Sequence, residues 1–281
     1  MVGRHVFGLF NKEGIAIIAE ALRKRQEAER EGHSLGFVNF EAPHRCKDGS
    51  VIWGEVFSKA MRDEHGKITG YHGITREITK RKQMQDQILK QAFYDALTKL
   101  PNRRLLIDRL NETLLASKRS GCHGALMFID LDNFKPLNDT HGHFVGDLLL
   151  IEAAKRLKSC VREMDTVARF GGDEFVVMLG ELVADHAQSL ADARVVAEKI
   201  RLRLSANYQL DVSREGETEK IVEHHCTASI GVVVFLDHEA SPEAIMTCAD
   251  TAMYQAKEAG RNTIRFYDPE MNKSPSSHAE K

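Results

Sequence analysis

Hydrophobic and polar positions divide the first third of the chain into two zones. From Phe10 to about Glu31 the apolar residues recur at helical spacing and then give way to a polar stretch, which predicts one helix. The following runs, up to residue 76, alternate apolar and polar residues and are separated by turns that contain D-G and H-G. This zone predicts a small antiparallel sheet, in which we expect Trp53 and Phe57 to pack into a core.

A polar segment without glycine or proline follows, at residues 77–92. Its apolar residues Ile78, Met84, Ile88 and Ala92 lie near helical spacing, which predicts a connecting helix with one apolar stripe. Such a stripe is compatible with a short dimeric coiled coil, although it covers too few heptads to establish one.

The remainder of the chain alternates helical and strand patterns and predicts an α+β fold, an α/β sandwich in which helices cover a mainly antiparallel sheet. The predicted strands are 124–131, 166–170, 174–180 and 225–235. The predicted helices are 102–118, 144–160, 183–205 and 242–259. The polar tail 269–281 is predicted to be disordered.

Composition narrows the possible partners and compartment. The chain has 281 residues, of which 42% are hydrophobic and 28% charged, so we expect two packed domains. Its formal charge is −2, so no overall electrostatic field attracts nucleic acid or an anionic membrane. The five cysteines form no CxxC pair, which argues against a disulfide framework and a zinc site. The sequence contains no run of about 18 apolar residues, the length that would predict a membrane span. The cytoplasm is therefore the expected compartment.

The stretch "RFGGDEF", residues 169–175, places two acids directly after two glycines at a predicted hairpin tip. If the strand 124–131 is its neighbour, Asp130 and Asp132 converge with Asp173 and Glu174. Crowded carboxylates are costly unless a cation neutralises them, and oxygen ligands favour Mg²⁺. For Asp130 and Asp132 alone, solvated turn acids are an equally good interpretation.

Further residues that can contact a phosphate or a base occur in two places, after Asp132 and at the end of the last predicted helix. Lys135 and the backbone around Phe134 can approach phosphates, while Asn138 and Asp147 match the edge of a guanine. Lys257 and Arg261 are four residues apart, which places them on one side of a helix end where both can reach an anion. Each residue taken singly is equally well interpreted as an ordinary surface group.

Arg162 and Asp165, three residues apart in "REMD", precede the hairpin. Their spacing alone favours a local surface ion pair, which contributes little to stability. The alternative is a small site for an anion and a base edge, with Arg162 as a bidentate partner.

From about Phe93 to Tyr267 the chain resembles the GGDEF domain of diguanylate cyclases. The resemblance rests on "DALTKLPNRR", "FIDLDNFKPLNDTHGH", the RxxD of "REMD", "RFGGDEF", "ASIGVVV" and "ADTAMYQAKEAGRN". It implies a palm-like domain that condenses two GTP molecules into cyclic di-GMP and releases pyrophosphate. Because each domain would hold one GTP, it also implies a homodimer.

The resemblance implies a role for each matching residue. Asp130, the carbonyl of Leu131 and Asp173 would hold Mg²⁺ or Mn²⁺, and Asp173 or Glu174 would assist deprotonation of the ribose 3′-hydroxyl. The substrate-binding residues would be Phe134, Lys135, Asn138, His143, Asp147, Gly171, Gly172, Lys257 and Arg261. Arg162 and Asp165 match the family's inhibitory product site. Two residues depart from the family pattern: Lys99 replaces a usual glycine, and Lys199 a frequent arginine of the inhibitory site.

Residues 44–82 resemble the closing strands of a PAS sensor domain and its exit into a signalling helix. Because the opening strands of that family have no counterpart, we predict a truncated PAS-like sheet and no bound sensor cofactor. The predicted organisation is a partial PAS/PAC domain at 1–76, a signalling helix at 77–92, the GGDEF domain at 93–268 and the tail at 269–281. The alternative function is a non-catalytic receptor that binds cyclic di-GMP or GTP.

Overall fold

A computed structural model describes residues 8, 10–31, 36–213, 220–236 and 240–268. It divides into two compact units, Met1–Lys90 and Gln91–Lys281. The predicted disordered tail lies outside the described residues. Among the helices that are described, none combines the length and the apolar character that crossing a membrane requires.

The N-terminal unit contains one helix and a three-stranded antiparallel sheet of order β1-β2-β3. The helix α1 (Lys12–Arg30) is followed by β1 (Phe37–Arg45), β2 (Val51–Arg62) and β3 (Ile68–Glu77). Asn11 caps the helix by accepting a hydrogen bond from the Gly14 N–H at 2.8 Å. The core is small and centres on Phe10, Ile18 and Ala42.

The face of β2 that turns towards α1 differs from the predicted one. Ile52, Val56 and Ser58 line a cavity that α1 also borders, whereas Phe57 lies on the opposite face with 38% of its surface exposed. Trp53 is half-buried, and the Lys82 ammonium group lies 5.1 Å from the centre of its ring. The predicted core position was therefore wrong for Phe57, because alternating strand residues point to opposite faces and helix α1 covers the other one.

The connecting helix α2 (Thr79–Phe93) has no buried residue. Its stripe residues Met84 and Ile88 are 62% and 61% exposed, while Ile78, directly before the helix, is buried. The apolar stripe is thus uncovered along most of the helix.

The C-terminal unit is built around a five-stranded sheet of order β10-β9-β4-β6-β5, in which only the β10–β9 pair is parallel. The strands of this sheet are β4 (Gly124–Asp132), β5 (Thr166–Gly171), β6 (Glu174–Leu179), β9 (Thr227–Phe235) and β10 (Ile264–Phe266). A separate hairpin consists of β7 (Tyr208–Asp211) and β8 (Ile221–His224). The predicted α+β fold with a mainly antiparallel sheet is confirmed.

Helices cover both faces of this sheet. They are α3 (Arg103–Ser120), α4 (Phe134–His141), α5 (His143–Cys160), α6 (His186–Leu204) and α7 (Pro242–Glu258). All nine residues of the central strand β4 are buried. Met127 and Ile129 belong to the cluster that includes α5 and α6, while Leu126 and Phe128 belong to the cluster that includes α3 and α7. The alternation of β4 thus fixes which face its terminal acids share.

Candidate active site

The acids of the site lie where β4 ends. Asp130 is paired in the antiparallel ladder with Glu174 at the start of β6 and with Ser229 of β9. The backbone N–H of Leu131 donates to the carbonyl of Asp173 at 3.3 Å, which holds the hairpin tip against β4. Asp130, Asp173 and Glu174 are therefore brought to one end of two neighbouring strands, and Asp132 is the last residue of the same strand β4.

The hairpin tip is held by Arg169, the residue that opens the "RFGGDEF" stretch. Its guanidinium donates two hydrogen bonds to the carbonyl of Gly172, at 3.0 and 2.7 Å, and pairs with both carboxylate oxygens of Asp95 at 3.1 and 3.2 Å. Gly172 has φ +51°, in the left-handed region that glycine adopts without a steric cost. The turn before the acids is thus anchored to a residue more than seventy positions earlier in the chain.

Asp95 is itself fixed in the loop before α3. One carboxylate oxygen accepts from the Thr98 N–H at 2.7 Å and from the Thr98 hydroxyl at 2.6 Å. Partial burial raises the pKa of Asp95, but the hydrogen bonds from Thr98 and the charge of Arg169 outweigh it, so the pKa lies below its ordinary value. Asp95 is therefore a stably charged anchor for Arg169.

The carboxylate of Asp130 is in the opposite situation. Burial is the largest cause that raises its pKa, and the nearby charge of Asp173 raises it further, while the Lys257 ammonium at 2.6 Å acts against both. The pKa of Glu174 is also raised, first by burial and then by the charges of Asp130 and Asp173. These acids form a crowded cluster in which Lys257 supplies a positive charge.

The oxygen chemistry of this cluster fits a hard divalent cation. Asp130 and Asp173 are carboxylates, and the carbonyl of Leu131 lies in the same strand end. Among the described residues, no group of three or more His, Cys, Asp and Glu side chains is arranged to hold a metal ion. The predicted ligand set needs only two carboxylates and one backbone carbonyl, so its assignment stays a prediction.

Asp132 belongs to a separate network. Its carboxylate accepts from the Thr227 hydroxyl at 2.6 Å and the Ser229 hydroxyl at 2.7 Å, and its Oδ2 also accepts from the backbone N–H of Asn262 at 3.1 Å. The side chain is almost fully buried. Asp132 therefore ties β4 to β9 and to the loop after α7, which identifies it as a structural acid.

A cradle for a flat polar group forms between α4 and α5. The side-chain oxygen of Asn138 is buried and has no hydrogen-bond partner among the described residues. A Cβ added to Gly146 would lie 1.9 Å from that oxygen and 3.2 Å from the ring of Phe134. The Asn138 side chain therefore occupies space that any residue larger than glycine at position 146 would fill. The sequence patterns did not reveal this close approach.

The other predicted substrate residues of this region are exposed. They are Lys135 on α4 and His143 and Asp147 near the start of α5. Phe134 is half-buried. Gly171 and Gly172 are exposed at the hairpin tip, and nothing lies within 4 Å of a Cβ built on either. This open space permits a ligand to approach the backbone closely.

Lys257 and Arg261 do not share a helix side as their spacing predicts. Helix α7 ends at Glu258, and Arg261 lies beyond it in a turn with φ +64°. The backbone N–H of Arg261 donates to the carbonyl of Ala256 at 3.1 Å, which closes the helix end. Gly260, with φ +106°, reverses the chain direction before Arg261. Lys257 forms an ion pair with Asp130, while Arg261 is exposed.

Arg162 and Asp165 form a closed turn. The Arg162 N–H donates to Asp165 Oδ2 at 2.9 Å, and the Asp165 N–H donates to the Arg162 carbonyl at 3.1 Å. The Arg162 side chain is exposed. Lys199, at the departure from the family pattern, donates to the carbonyl of Cys160 at 3.0 Å. The two members of the predicted inhibitory site are thus adjacent, and Lys199 is bonded to the end of α5.

A scan against family models matches residues 92–263 to the diguanylate cyclase GGDEF domain. This match covers more than half of the chain and includes the whole cluster at the end of β4. The chain belongs to the GGDEF diguanylate cyclase family.

Two curated relatives place this GGDEF protein among signalling proteins. It is 42% identical over 186 residues to the bifunctional diguanylate cyclase/cyclic di-GMP phosphodiesterase MucR of Pseudomonas aeruginosa, a match of 66% of this chain and 25% of the relative. It is 36% identical over 276 residues to an uncharacterized signaling protein of Caulobacter vibrioides, a match of 97% of this chain and 30% of the relative. The chain thus spans between a quarter and a third of these relatives' length.

Solved GGDEF structures have the same fold. The GGDEF domain of TpbB from Pseudomonas aeruginosa matches with a TM-score of 0.54 and 36% identity, over 61% of this chain and 98% of that one. The coiled coil and GGDEF domain of DgcB from Caulobacter crescentus, solved in complex with c-di-GMP, match with a TM-score of 0.57 and 26% identity, over 67% of this chain and 93% of that one.

Proposed function

We propose that the protein is an active diguanylate cyclase that joins two GTP molecules into cyclic di-GMP. In each of two steps a ribose 3′-hydroxyl loses its proton and attacks the α-phosphate of the other GTP, and pyrophosphate leaves. The observation that carries this proposal is the intact hairpin, in which Arg169 holds the turn that sets Asp173 and Glu174 beside Asp130.

Asp130, the Leu131 carbonyl and Asp173 would hold Mg²⁺ or Mn²⁺. A divalent ion at this place lowers the pKa of an attacking hydroxyl and stabilises a departing phosphate. The raised pKa values of Asp130 and Glu174 support the site, because burial, and after it the neighbouring carboxylates, oppose the negative charge that a cation would balance. Asp173 or Glu174 would accept the proton of the 3′-hydroxyl.

Lys257 would bind a phosphate of GTP in addition to its contact with Asp130. In the ligand-free protein its ammonium group balances Asp130 at 2.6 Å. When cation and triphosphate bind, the lysine would turn to a phosphate oxygen, a short movement for a flexible side chain that is 31% exposed. Arg261, Lys135 and the backbone of the tip glycines and of Phe134 would contact the remaining phosphate oxygens.

The base of GTP would lie in the cradle between α4 and α5. The unpartnered oxygen of Asn138 supports this assignment, because the exocyclic amino group of guanine is a donor that adenine lacks at the same edge. Asp147 and His143, exposed near the start of α5, would contact the base or the sugar. Guanine would thus satisfy the buried oxygen.

We further propose a homodimer, because each domain offers one set of GTP contacts and the reaction needs two. The exposed apolar residues Met84 and Ile88 of α2 support a helix pair between two copies. Synthesis per chain should therefore rise with chain concentration until the dimer is complete. The likeness of the Caulobacter signaling protein along 97% of this chain supports a sensor role for the N-terminal unit, which we propose to be PAS-like.

The test compares Asp173→Asn with Glu112→Gln, which removes the same charge from an exposed position on α3. With GTP and Mg²⁺, and after removal of bound product, we expect Asp173→Asn to lower cyclic di-GMP synthesis by about a hundredfold or more, while Glu112→Gln retains it. Cyclic di-GMP should still bind to both variants. If the unaltered protein binds the dinucleotide but never makes it, the non-catalytic receptor is the correct alternative.

Product inhibition at Arg162 and Asp165 is tested separately. Arg162→Ala removes the guanidinium and leaves the turn, which the backbone of Arg162 closes. We expect the cyclic di-GMP concentration for half-inhibition to rise about tenfold or more, and Arg119→Ala, on the exposed end of α3, to leave it unchanged. An equal half-inhibition in both variants would place the inhibitory site elsewhere.

A further inference from the structure

The N-terminal unit contains a cavity of about 430 Å³ between α1 and the three-stranded sheet. This volume falls within the range of about 300–1,000 Å³ that small-molecule sites occupy. Its walls are mainly apolar and include Ile18, Leu22, Val38, Phe40, Ile52 and Val56. Such walls favour an apolar body over a strongly hydrated ligand.

Arg25 introduces a positive charge into these walls. Only 2% of its surface is exposed. One guanidinium nitrogen, Nη2, donates to the carbonyl of Ser58 at 2.8 Å, and the guanidinium carbon lies 5.2 Å from the centre of the Tyr71 ring. Both of these residues also border the cavity. The guanidinium is therefore held in one orientation by the sheet.

A second nitrogen of this guanidinium, Nε, lacks a partner among the described residues. Arg25 Nε is buried and makes no hydrogen bond within the described part of the chain. No aspartate or glutamate is among the described residues that line the cavity, whereas His44, Arg45 and His72 are. A buried charge without a counter-charge costs several kcal/mol, so an anion bound in this cavity would offset that cost.

We propose that this cavity binds a small amphiphilic anion, a carboxylate on an apolar body. The carboxylate would accept a charge-assisted hydrogen bond from Arg25 Nε, the buried donor that has no partner within the described part of the chain. The apolar body would lie against the residues of α1 and β2. This site belongs to the N-terminal unit and is independent of the proposed cyclase reaction.

The test titrates the full-length chain with decanoate in a calorimeter and repeats the titration with 1-decanol, which has the same apolar chain and no charge. We expect decanoate to bind about ten- to a hundredfold more tightly than 1-decanol, the gain expected of a charge-assisted hydrogen bond. Equal affinity for the two probes would overturn the proposed role of the guanidinium. Absence of decanoate binding would overturn the proposal as a whole.

Arg25→Met provides the decisive variant, since methionine keeps a flexible apolar stem and removes the unpaired charge. The variant should fold at least as well as the original chain, lose the preference for decanoate and keep the affinity for 1-decanol. Lys24→Met removes the same charge from an exposed neighbouring position and should change neither affinity. If Arg25→Met retains the preference, the anion binds at another group.

A second variant tests the cavity without touching the charge. Ala21 lines the cavity from α1, and Ala21→Leu fills part of it with a good helix former. We expect this variant to weaken both probes about tenfold. Undiminished binding of both would show that decanoate binds outside the cavity and would contradict the proposal.

Discussion

Two buried charged side chains, Asp132 in the C-terminal unit and Arg25 in the N-terminal unit, differ in how fully they are hydrogen-bonded. In the C-terminal unit the carboxylate of Asp132 accepts from three donors, and Arg169 bonds both the hairpin tip and a carboxylate. In the N-terminal unit the guanidinium of Arg25 donates to one backbone carbonyl and keeps Nε free. Asp132 and Arg169 thus use their charges to fix strands and turns, while Arg25 keeps a donor available for the ligand that we propose.

The same distinction separates groups inside the C-terminal unit. Asp132 is saturated and structural, whereas Asn138, in the proposed guanine cradle, has a buried oxygen without a partner among the described residues. Burial of an unsatisfied polar atom costs stability, and a ligand that provides the missing bond would remove this cost. Hydrogen bonding thus separates Asp132, which stabilises the fold, from Asn138, which we propose to contact the base.

The largest expected effect comes from a comparison of the stability losses of Asp132→Ala and Asp130→Asn, which tests this distinction directly. Asp132→Ala leaves the donors on Thr227, Ser229 and Asn262 without their acceptor, and we expect a loss of about 3–5 kcal/mol in the free energy of unfolding. Asp130→Asn removes a carboxylate whose charge is opposed by burial and by Asp173 and favoured by Lys257, so we expect a loss of about 1 kcal/mol or less, together with lost synthesis. Urea denaturation and a cyclase assay measure the two effects. Equal destabilisation by both variants would refute the separation.

A smaller effect is expected from the anchor of the hairpin. Asp95→Asn weakens the contact with Arg169, in which the two side chains are 22% and 14% exposed, and should lower the free energy of unfolding at pH 7 by about 1–3 kcal/mol. Because the folded pKa of Asp95 is depressed, its contribution is fully present above the unfolded value of about 3.9 and is lost as pH falls through the folded value. Below that pH the difference from the original chain should therefore shrink.

Urea denaturation of the original chain and Asp95→Asn at several pH values between about 7 and 3 measures this shrinkage. The difference between the two chains is the relevant quantity, since other carboxylates titrate equally in both. A difference that stays constant with pH would mean that the charge of Asp95 does not stabilise the hairpin.

Gly146→Ala should alter substrate binding more than stability. Its Cβ would lie 1.9 Å from Asn138 Oδ1, so the amide must turn away from its present position. We expect the KM for GTP to rise about tenfold, while the free energy of unfolding changes by about 1 kcal/mol or less, because the higher helix propensity of alanine offsets part of the crowding at Asn138. Gly180→Ala, whose Cβ would meet only Thr113 Cγ2 at 3.9 Å, is the control. An unchanged KM in Gly146→Ala would remove Asn138 from the GTP cradle.

Long periodic segments were predictable from the sequence, whereas short ones were not. The helices α3, α5, α6 and α7 and the strands β4, β6 and β9 lie within a few residues of their predicted bounds. The eight-residue helix α4 and the strands β7, β8 and β10, of four, four and three residues, are too short to give a recognisable period.

The candidate site was predictable to a similar extent. The motif around the two glycines indicated the hairpin and its acids, because residues adjacent in sequence fix a turn. The contact of Asp95 with Arg169 and the close approach of Gly146 to Asn138 depend on tertiary packing, which periodicity does not contain. The end of α7 also differed, since the left-handed turn at Gly260 and Arg261 replaces the last helical turn.

The smallest effect concerns Lys99, at the position where the family usually has glycine. Its φ is +59°, a left-handed conformation that costs a side-chain-bearing residue roughly 1–2 kcal/mol. The Lys99 ammonium group donates to the carbonyl of Ala96 at 2.6 Å, an exposed bond that offsets little of this cost. Lys99→Gly should therefore raise the free energy of unfolding by about 0.5 kcal/mol, because the greater freedom of glycine in the unfolded chain cancels part of the relief.

Lys99→Ala separates the two causes, since alanine loses the ammonium group but keeps the Cβ and its left-handed cost. We expect Lys99→Ala to be equal to or slightly less stable than the original chain, and only Lys99→Gly to gain stability in urea denaturation. A gain in both variants would assign the cost to the lysine side chain. Because Lys99 immediately follows the Thr98 that holds Asp95, a gain confined to glycine would show that backbone strain beside the hairpin anchor opposes the stabilisation that the anchor provides.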